Sequence, residues 1–513
     1  MKIHFFHCLP ALFLFAQAAA QSPETLKVRA YCRQNQHGIL DEFVSLLSLP
    51  NLAADTLNIR RNADFIQGMM RQRGIQHVQL LESATAGAPP AVYGEAEIPG
   101  ATHTLIFYAH YDGQPVNPAQ WAKGLEPFKP RLANESLEKG GRLIPFPEGG
   151  NAFDSSWRIY ARGASDDKAG VDVILNAYEA IRRTGIKLHS NIKFFFEGEE
   201  EAGSSHLPEI LEKYKSLLPS DIWIICDGPV DQTGKKQVVF GVRGDAHLDL
   251  TVYASKRPLH SGHYGNWAPN PALMLAKLLA SMKDEDGKVR IPDFYADVIP
   301  YSSFEKKAIQ EIPSVDEQMK KELGISFTEM PGTSLMESIS LPSLNINGMQ
   351  SGNTGKMASN VIPTTATAVL DLRLVLGNDW RKQQQKVIAF IRSQGFTVLD
   401  HEPTDEERAK FAKIIRAIPG DDGYNAQRTS MELPLARKVV EAVQQTTDEK
   451  VILVPSLGGS LPLFLFEKYL GAKTILVPVV NHDNNQHAEN ENIRLQNLWN
   501  GTETMASLMM IQL

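Results

Sequence analysis

The chain has 513 residues, more than one hydrophobic core usually holds, so we expect two or more domains. Its composition, with 43% hydrophobic and 22% charged residues, is typical of a globular protein. The formal net charge of -7, with no basic stripe along the sequence, argues against a nucleic-acid partner.

The first twenty residues differ from the rest of the chain. Lys2 is followed by an apolar stretch at 9–15 and then by small residues up to Ala20. A basic start, a short apolar segment and a small-residue cleavage site are typical of a secretory signal peptide. We therefore predict a signal peptide over 1–20 and an exported protein, periplasmic or secreted, with no membrane anchor after cleavage. The alternative is an uncleaved helix lying on a membrane surface.

Apolar runs and helical patterns alternate between residues 36 and 225. The predicted order is helix 36–49, helix 56–73, strand 104–109, helix 171–183, strand 191–196, helix 207–218 and strand 222–225. This alternation predicts an α/β fold, with a mostly parallel sheet flanked by helices. Ligands of such sheets bind at the carboxyl ends of the strands.

The pattern changes near residue 243. Residues 247–253 and 365–374 alternate as half-buried strands do, and 270–282 and 380–394 have helical spacing. This predicts an inserted α+β domain over 243–428, with 400–428 returning the chain to the first domain. The α/β domain would then comprise 21–242 and 429–513, completed by segments 434–445, 474–480 and 495–513.

Side chains with carboxylate or imidazole groups follow several of the predicted strands. They are His110 with Asp112, Asp166 with Asp167, the acidic run Glu197, Glu199, Glu200 and Glu201, and Asp227. Each has an ordinary structural explanation when taken singly, as a buried histidine, a helix cap or a turn residue. Together, however, they would meet at one edge of one sheet.

This set of side chains indicates a metal site. Carboxylates packed as closely as those at 197–201 repel one another unless a cation lies between them. Imidazole and carboxylate ligands without a thiolate suit zinc or a similar divalent ion in a hydrolytic site. Two ions would share a bridging carboxylate and activate a water. One more histidine is needed, and spacing does not choose between His482 and His487.

Five segments resemble, in order, the motifs of one enzyme family. They read HYDGQPV from His110, RGASDDKAG from Arg162, EGEEEAGS from Glu197, ICDGP from Ile225 and HAENE from His487. The resemblance is to the di-zinc metallopeptidase family of carnosinases, dipeptidases, glutamate carboxypeptidases and aminoacylase. It covers nearly all of the mature chain and is closest to the carnosinase-like dipeptidase branch.

The resemblance implies a set of metal ligands. His110 and Asp227 would bind one ion, Glu201 and His487 the other, and Asp166 would bridge the two. His487 is preferred to His482 because the last histidine of the family precedes a short N-E segment. The implied cofactors are two divalent metal ions, with Zn²⁺ the first choice.

The resemblance also implies catalytic roles for two acidic residues. Asp112 would orient His110. Glu200 would act as general base, taking a proton from the water between the ions and passing it to the leaving amine.

By the same resemblance, the inserted domain would serve as a lid and as the dimerisation surface of a homodimer. His260 would stabilise the developing oxyanion, in many relatives in the active site of the other subunit. Arg373 would hold the substrate carboxylate, a task that suits its planar, two-pronged cation. Ser460, Gly459 and Asn353 would contact the same end of the substrate.

Two features depart from the family pattern. Ala169 follows Lys168 where many relatives have glycine, which changes no ligand. The segment 117–155 is long and rich in glycine and proline, and we expect it to shape the entrance of the site.

The implied function is an exported di-metal hydrolase. It would cleave amide bonds of dipeptides or short peptides with a free C-terminal carboxylate. An N-acyl amino acid amidohydrolase with the same site is the alternative, and a non-catalytic binding protein is a weaker one. A serine hydrolase is disfavoured because the sequence has no G-x-S-x-G motif.

Overall fold

The computed structural model describes residues 21–148 and 152–512. The predicted signal peptide over 1–20 lies outside the described residues. Within the described ranges, none of the helices combines the length and the apolar character needed to cross a bilayer.

Fourteen α-helices are present in the described residues. In chain order they are Pro23–Leu47, Thr56–Gln72, Lys168–Thr184, Leu207–Lys213, Ser261–Tyr264, Pro271–Ser281, Ser303–Glu311, Asp316–Leu323, Leu335–Ile339, Trp380–Ser393, Asp405–Lys410, Pro434–Gln444, Phe464–Leu470 and Leu495–Met509.

An eight-stranded sheet, which we call the first sheet, carries most of the sequence motifs. Its strands lie side by side in the order Gln76–Leu81, Ala91–Ala96, Asn191–Glu197, Thr104–His110, Ile222–Ile225, Thr474–Leu476, Gln237–Val239 and Ile452–Val454. The third to sixth strands of this order are parallel, so their carboxyl ends meet at one edge.

Helices cover both faces of the first sheet. Leu105 and Phe107 point into one hydrophobic layer, whereas Ile106 and Tyr108 point into another, because successive strand residues face opposite sides. The first layer includes helices Pro23–Leu47, Lys168–Thr184 and Leu495–Met509, and the second includes Leu207–Lys213 and Phe464–Leu470. The predicted fold class, α/β with a mostly parallel sheet and an α+β insertion, is confirmed.

A seven-stranded sheet, the second sheet, is mostly antiparallel. Its main path runs Ser343–Gln350, Thr365–Leu374, Gly241–Tyr253, Ile414–Pro419 and Thr397–Leu399, and Gln427–Arg428 and Leu457–Ser460 also pair with Gly241–Tyr253. Helices Pro271–Ser281 and Trp380–Ser393 pack on one face and form a separate core. The domain boundary predicted at residue 242 falls inside Gly241–Tyr253, and the boundaries stay a prediction.

Two smaller sheets complete the fold. Leu259–His260 pairs with Val361–Ile362, and a four-stranded sheet runs Asn492–Arg494, Arg158–Tyr160, Arg131–Ala133 and Leu143–Ile144.

Several elements differ in extent from the sequence prediction. The first helix begins at Pro23 rather than at residue 36, because Ser22 caps it and proline suits the first helical turn. The helix predicted over 207–218 ends at Lys213, and a short 3-10 turn follows. The outer strands Ala91–Ala96 and Gln76–Leu81 of the first sheet are antiparallel. The segment 400–428 contains the strand Ile414–Pro419, which belongs to the second sheet.

Candidate metal centre

The predicted ligand segments meet at the carboxyl edge of the first sheet. In the parallel pairing, His110 lies opposite Glu197, which opens the acidic run, and Tyr108 lies opposite Ile225, two residues before Asp227. The helix Lys168–Thr184 begins at the same edge, and its cap is Asp167. The register of three neighbouring strands therefore places these side chains together.

Two groups of ligand atoms form at this edge and share one carboxylate. The first is His110, Asp166 and Asp227, and the second is Asp166, Glu201 and His487. Nε2 of His110 lies 3.0 Å from Oδ1 of Asp166, and Nε2 of His487 lies 3.0 Å from Oδ2 of the same residue. Each oxygen of Asp166 thus faces a different imidazole. This is the arrangement expected of a bridging ligand.

The other two carboxylates lie farther from the imidazoles. Oε2 of Glu201 is 3.3 Å from Nε2 of His487, and Oδ2 of Asp227 is 4.0 Å from Nε2 of His110. All five side chains named in the sequence as ligands therefore come together, and we call them the edge cluster. His482, the other histidine considered, belongs to neither ligand group.

The donor set and its electrostatics fit a pair of divalent ions. Imidazole and carboxylate are the ligands zinc prefers in hydrolytic sites. Burial raises the pKa of Glu201 to about 8 and that of Asp227 to about 6, so these carboxylates resist ionisation unless a cation joins them. A metal ion would supply the missing positive charge.

The pKa values of the two histidines are raised as well, but for a histidine this shift favours the charged form. Hydrogen bonding to Asp166 raises the pKa of His487 to about 8, against the effect of burial. Burial opposes a charge on His110, but Asp112 and Asp166 outweigh it and raise its pKa. In the metal-free protein, protons on the imidazoles partly replace the missing metal charge.

Glu200 lies beside the edge cluster without belonging to either ligand group. Its Oε2 is 3.9 Å from Nε2 of His110, and burial raises its pKa well above the usual value. A buried carboxylate that adjoins the ligands and remains uncommitted has the position and the proton affinity of a general base.

Asp112 ties the two ligand segments together. Its Oδ1 lies 3.2 Å from Nδ1 of His110, and its two oxygens accept backbone N–H bonds from Glu200 and Glu201 at 3.1 and 3.0 Å. One carboxylate thus contacts His110 and also fixes the backbone that carries the proposed base.

Glu491 is the main residue that the sequence analysis missed. It is fully buried, and its carboxylate accepts hydrogen bonds from the backbone N–H groups of Gly163, Ser165 and Asp166. It also accepts one from the Arg162 guanidinium at 2.7 Å. Glu491 therefore holds the loop of Asp166 against the segment of His487. The N-E segment after His487 was the signal for it.

Three further contacts support the site. Gln114 donates to Oε2 of Glu201 at 2.7 Å. Asp167 accepts from the backbone N–H of His110 at 3.2 Å and from that of Gly170 at 3.1 Å. A Cβ at Gly170 would lie 2.5 Å from the carbonyl oxygen of Cys226, so this position needs glycine, whereas its neighbour Ala169 packs in the core.

The remaining acids of the run 197–201 have support roles. Glu197 is buried, accepts a hydrogen bond from the Tyr108 hydroxyl at 2.7 Å, and has its pKa raised to about 7 by burial. Glu199 accepts from the backbone N–H of His206 at 3.0 Å. Both carboxylates are therefore held by hydrogen bonds to neighbouring groups.

The long segment 117–155 packs beside the His487 loop. Lys139 lies 3.2 Å from Asp483, and Asn485 donates to Glu138 at 2.9 Å. The strands Arg131–Ala133 and Leu143–Ile144 extend the small sheet that contains Asn492–Arg494. The described residues of this segment therefore contact the loop that carries His487, and a role at the entrance of the site stays a prediction.

The predicted substrate-contact residues lie in two places. Arg373, on strand Thr365–Leu374, donates from Nη1 to Oγ of Ser460 at 2.9 Å, and the adjacent Gly459 is exposed. Asn353 and His260 are exposed as well. The His260 side chain contacts Gly262 and His263, and its backbone pairs with that of Val361. The structure brings Arg373 and Ser460 together, but among the described residues no hydrogen bond or ion pair joins His260 to the edge cluster.

Comparison with known proteins identifies the family. The model of peptidase family M20/M25/M40 matches residues 106–511. The chain belongs to this family. It is therefore a metallopeptidase, and the family resemblance drawn from the five motifs is confirmed.

Individual relatives agree with this assignment. The chain is 25% identical over 488 residues to the Cys-Gly metallodipeptidase DUG1 of Candida albicans, covering 92% of this chain and 93% of that protein. It is 24% identical over 438 residues to the Beta-Ala-His dipeptidase of Homo sapiens, covering 84% and 79%.

Solved structures share the fold over most of their length. The M20 family metallo-carboxypeptidase Sso-CP2 from Sulfolobus solfataricus has a TM-score of 0.74 and 26% identity, covering 92% of this chain and 98% of that one. Human carnosine dipeptidase 1 has a TM-score of 0.73 and 21% identity, covering 96% and 100%. A dinuclear metal-binding peptidase from Bacillus subtilis is a more distant neighbour, with a TM-score of 0.52.

Proposed function

We propose that this protein is an exported dipeptidase that hydrolyses dipeptides or short peptides with a free C-terminal carboxylate. The proposal rests above all on the position of Asp166, whose two oxygens face His110 and His487, with Glu200 beside them. Export rests on the N-terminal sequence alone, and N-terminal sequencing of the protein recovered outside the cytoplasm should begin near residue 21.

Two bound divalent ions, with zinc the first choice, would polarise the scissile carbonyl and lower the pKa of a water. His110, Asp166, Asp227, Glu201 and His487 are the residues to hold them. Glu200 takes a proton from the attacking water and then delivers it to the nitrogen of the leaving amine. Its buried position, which favours the protonated form, suits the second of these transfers.

Arg373 and Ser460 are proposed to hold the carboxylate end of the substrate. The guanidinium is one-third exposed and therefore has donors available, and its bond to Ser460 places a hydroxyl beside it. Relatives named as Cys-Gly and Beta-Ala-His dipeptidases support a dipeptide substrate over an N-acyl amino acid.

A second copy of the chain is proposed to complete the site. His260 is exposed and contacts its own loop, so a role in catalysis requires it to reach another subunit. The edge strand Ser343–Gln350 exposes Ile346 and Met349, and Trp267 near His260 is 79% exposed. Apolar side chains on an open strand edge are typical of surfaces that another chain covers.

Subunit sharing has a direct test. His260→Ala protein mixed with Glu200→Gln protein should regain part of the activity that each lacks alone, because mixed dimers contain one intact site. Activity of the mixture equal to the sum of the two separate proteins would contradict sharing.

The function itself is tested with a panel of dipeptides, their C-terminal amides and N-acyl amino acids, with and without a chelator. We expect chelator-sensitive hydrolysis of the dipeptides and much slower hydrolysis of the amides. A preference for N-acyl amino acids would favour the deacylase alternative, and chelator-insensitive activity would refute both.

A further inference from the structure

A second group of histidine and carboxylate side chains lies on the second sheet, around Arg373. The ligand atoms of Asp245, His247 and Asp371 all lie within 4.8 Å of one another. In the antiparallel pairing of Gly241–Tyr253 with Thr365–Leu374, Asp245 lies opposite Arg373, and His247 lies opposite Asp371. Because residues two apart share a face of a strand, all four side chains point to the same side. We call them the second-sheet cluster.

In this cluster a guanidinium supplies positive charge beside the two carboxylates. Nε of Arg373 donates to Oδ2 of Asp371 at 3.2 Å and lies 3.7 Å from Oδ1 of Asp245. Nη1 of the same residue donates to Ser460. The positive charge that two carboxylates require is therefore already present.

A second guanidinium lies close to the cluster. Nη2 of the buried Arg243 donates to the carbonyl oxygen of Arg373 at 3.3 Å and to Oγ of Ser343 at 2.9 Å. Burial raises the pKa of Asp245 to about 6, against the effect of Arg373. One buried oxygen of each aspartate has no hydrogen-bond partner among the described residues. Carboxylate oxygens of Asp245 and Asp371 lie 3.7 and 3.2 Å from Nε of Arg373, so their negative charge reduces the attraction of this guanidinium for an anion.

Tyr424 connects this cluster with the metal edge. Its backbone pairs with that of Asp245 through two hydrogen bonds of 2.9 and 3.0 Å. Burial, then the charges of Asp245 and Glu200, raise the pKa of its hydroxyl. Tyr424 is thus paired with Asp245 through its backbone, and the charges of Asp245 and Glu200 both act on its hydroxyl.

We propose that Asp245 and Asp371 form an acidic cradle that weakens the hold of Arg373 on a substrate carboxylate. The inference rests on the proposed function, because it takes Arg373 as the anchor. The same carboxylate is present on the substrate and on the released C-terminal amino acid, so a tight anchor would bind both and slow product release. The cradle makes Asp245 and Asp371 specificity-determining residues, since it moderates the preference for a free carboxylate over an amide.

Asp371→Asn separates the charge of the cradle from its geometry. Asparagine keeps an oxygen that accepts from Nε of Arg373 but removes one negative charge. We expect the metal-loaded variant to bind leucine about tenfold more tightly than the unmodified protein does, with little change for leucinamide, which has no carboxylate. Ligand-observed NMR titration measures both affinities without turnover.

Asp249→Asn is the matched control, since Asp249 lies four residues after Asp245 on the same strand and is exposed. It should leave both affinities unchanged. Asp245→Asn should reproduce the gain and keeps the test valid if the first variant folds poorly. Equal or weaker leucine binding in both cradle variants, including binding by none of the proteins, would overturn the cradle. The dipeptide panel judges the proposed function separately.

Discussion

Two regions of this protein bring carboxylate and histidine side chains together, but the negative charge of the carboxylates is balanced differently in each region. In the described part of the chain, the ion-pair partners of Asp166 and Glu201 are the histidines His110 and His487. In the second-sheet cluster, both carboxylates also lie near a histidine, His247, but they share in addition the guanidinium of Arg373, which lies opposite Asp245 in the strand pairing. A cluster that lacks a permanent cation of its own needs a metal ion, whereas one that contains a guanidinium does not.

The pKa values alone would not separate the two regions. Burial is the largest cause of the shift in both, and it raises the pKa of Asp227 and that of Asp245 to about 6. The difference lies in the partners. Asp227 faces the imidazole of His110, which also binds metals, whereas Asp245 faces the guanidinium of Arg373, which does not, in addition to the imidazole of His247. A perturbed carboxylate therefore marks a site of interest, and its neighbours decide the chemistry.

The largest contrast is expected between Glu200→Gln and Asp371→Asn. Glutamine at 200 cannot accept a proton, so kcat should fall by about 10²- to 10⁴-fold while the metal content stays unchanged. Asparagine at 371 should keep kcat within about threefold of that of the unmodified protein. The charge that it removes lies in the second-sheet cluster and not in the edge cluster, so its effect on the reacting atoms is weaker. Steady-state kinetics on a dipeptide, with metal analysis of the same samples, measures both. Near-normal turnover of Glu200→Gln would show that Glu200 is not the general base and that kcat does not distinguish the two regions.

The next largest effect is expected for Glu491, whose carboxylate supports the loop that carries Asp166. Glu491→Ala removes the acceptor that holds the backbone of Gly163, Ser165 and Asp166, so metal affinity should fall by about 10- to 100-fold. Zinc competition against a chromogenic chelator measures this without reference to activity. The exposed Glu489, two residues away, is the matched control, and Glu489→Ala should bind zinc normally. Equal affinities in the two variants would show that Glu491 does not position Asp166.

The smallest effect is a pH dependence of stability confined to the metal-free protein. The folded pKa values of Glu201, about 8, and Asp227, about 6, lie above the ordinary values of these groups, 4.5 and 3.8. His487 is raised from 6.5 to about 8. In each case the folded state binds more protons than the unfolded state, so stability falls as pH rises from about 4 to 8.

Thermal unfolding of the chelated protein should therefore show a Tm that decreases by about 5 °C between pH 5 and pH 8. Added zinc should raise the Tm most at pH 8, because the metal replaces the protons that the cluster has lost. A metal-free Tm that rises over this range would contradict the charge balance assigned to the edge cluster.

The sequence predicted which side chains meet at the edge of the first sheet, because local signals combine there. Each ligand segment follows a strand or opens a helix, and parallel strands bring their carboxyl ends to one edge without further information. The choice of His487 over His482 came from the family motif, since both lie in one irregular loop. Glu491 was quoted within that motif, but its burial and its hydrogen bonds depend on how the loop folds back on Gly163.

The second-sheet cluster was beyond sequence reasoning for a different reason. Asp245 and Arg373 are far apart in the chain and meet through the register of two antiparallel strands. A shift by one residue would turn Arg373 to the opposite face, and no local pattern fixes that register. Arg373 was therefore named as an anchor while the carboxylates beneath it were not.

Anomalous diffraction from crystals grown with zinc would locate the metal ions. We expect two peaks at the edge cluster, about 3.5–4 Å apart on either side of Asp166, and none at Asp245, His247 and Asp371. A single peak, a pair of peaks without Asp166 between them, or a zinc ion beside Arg373 would contradict this expectation.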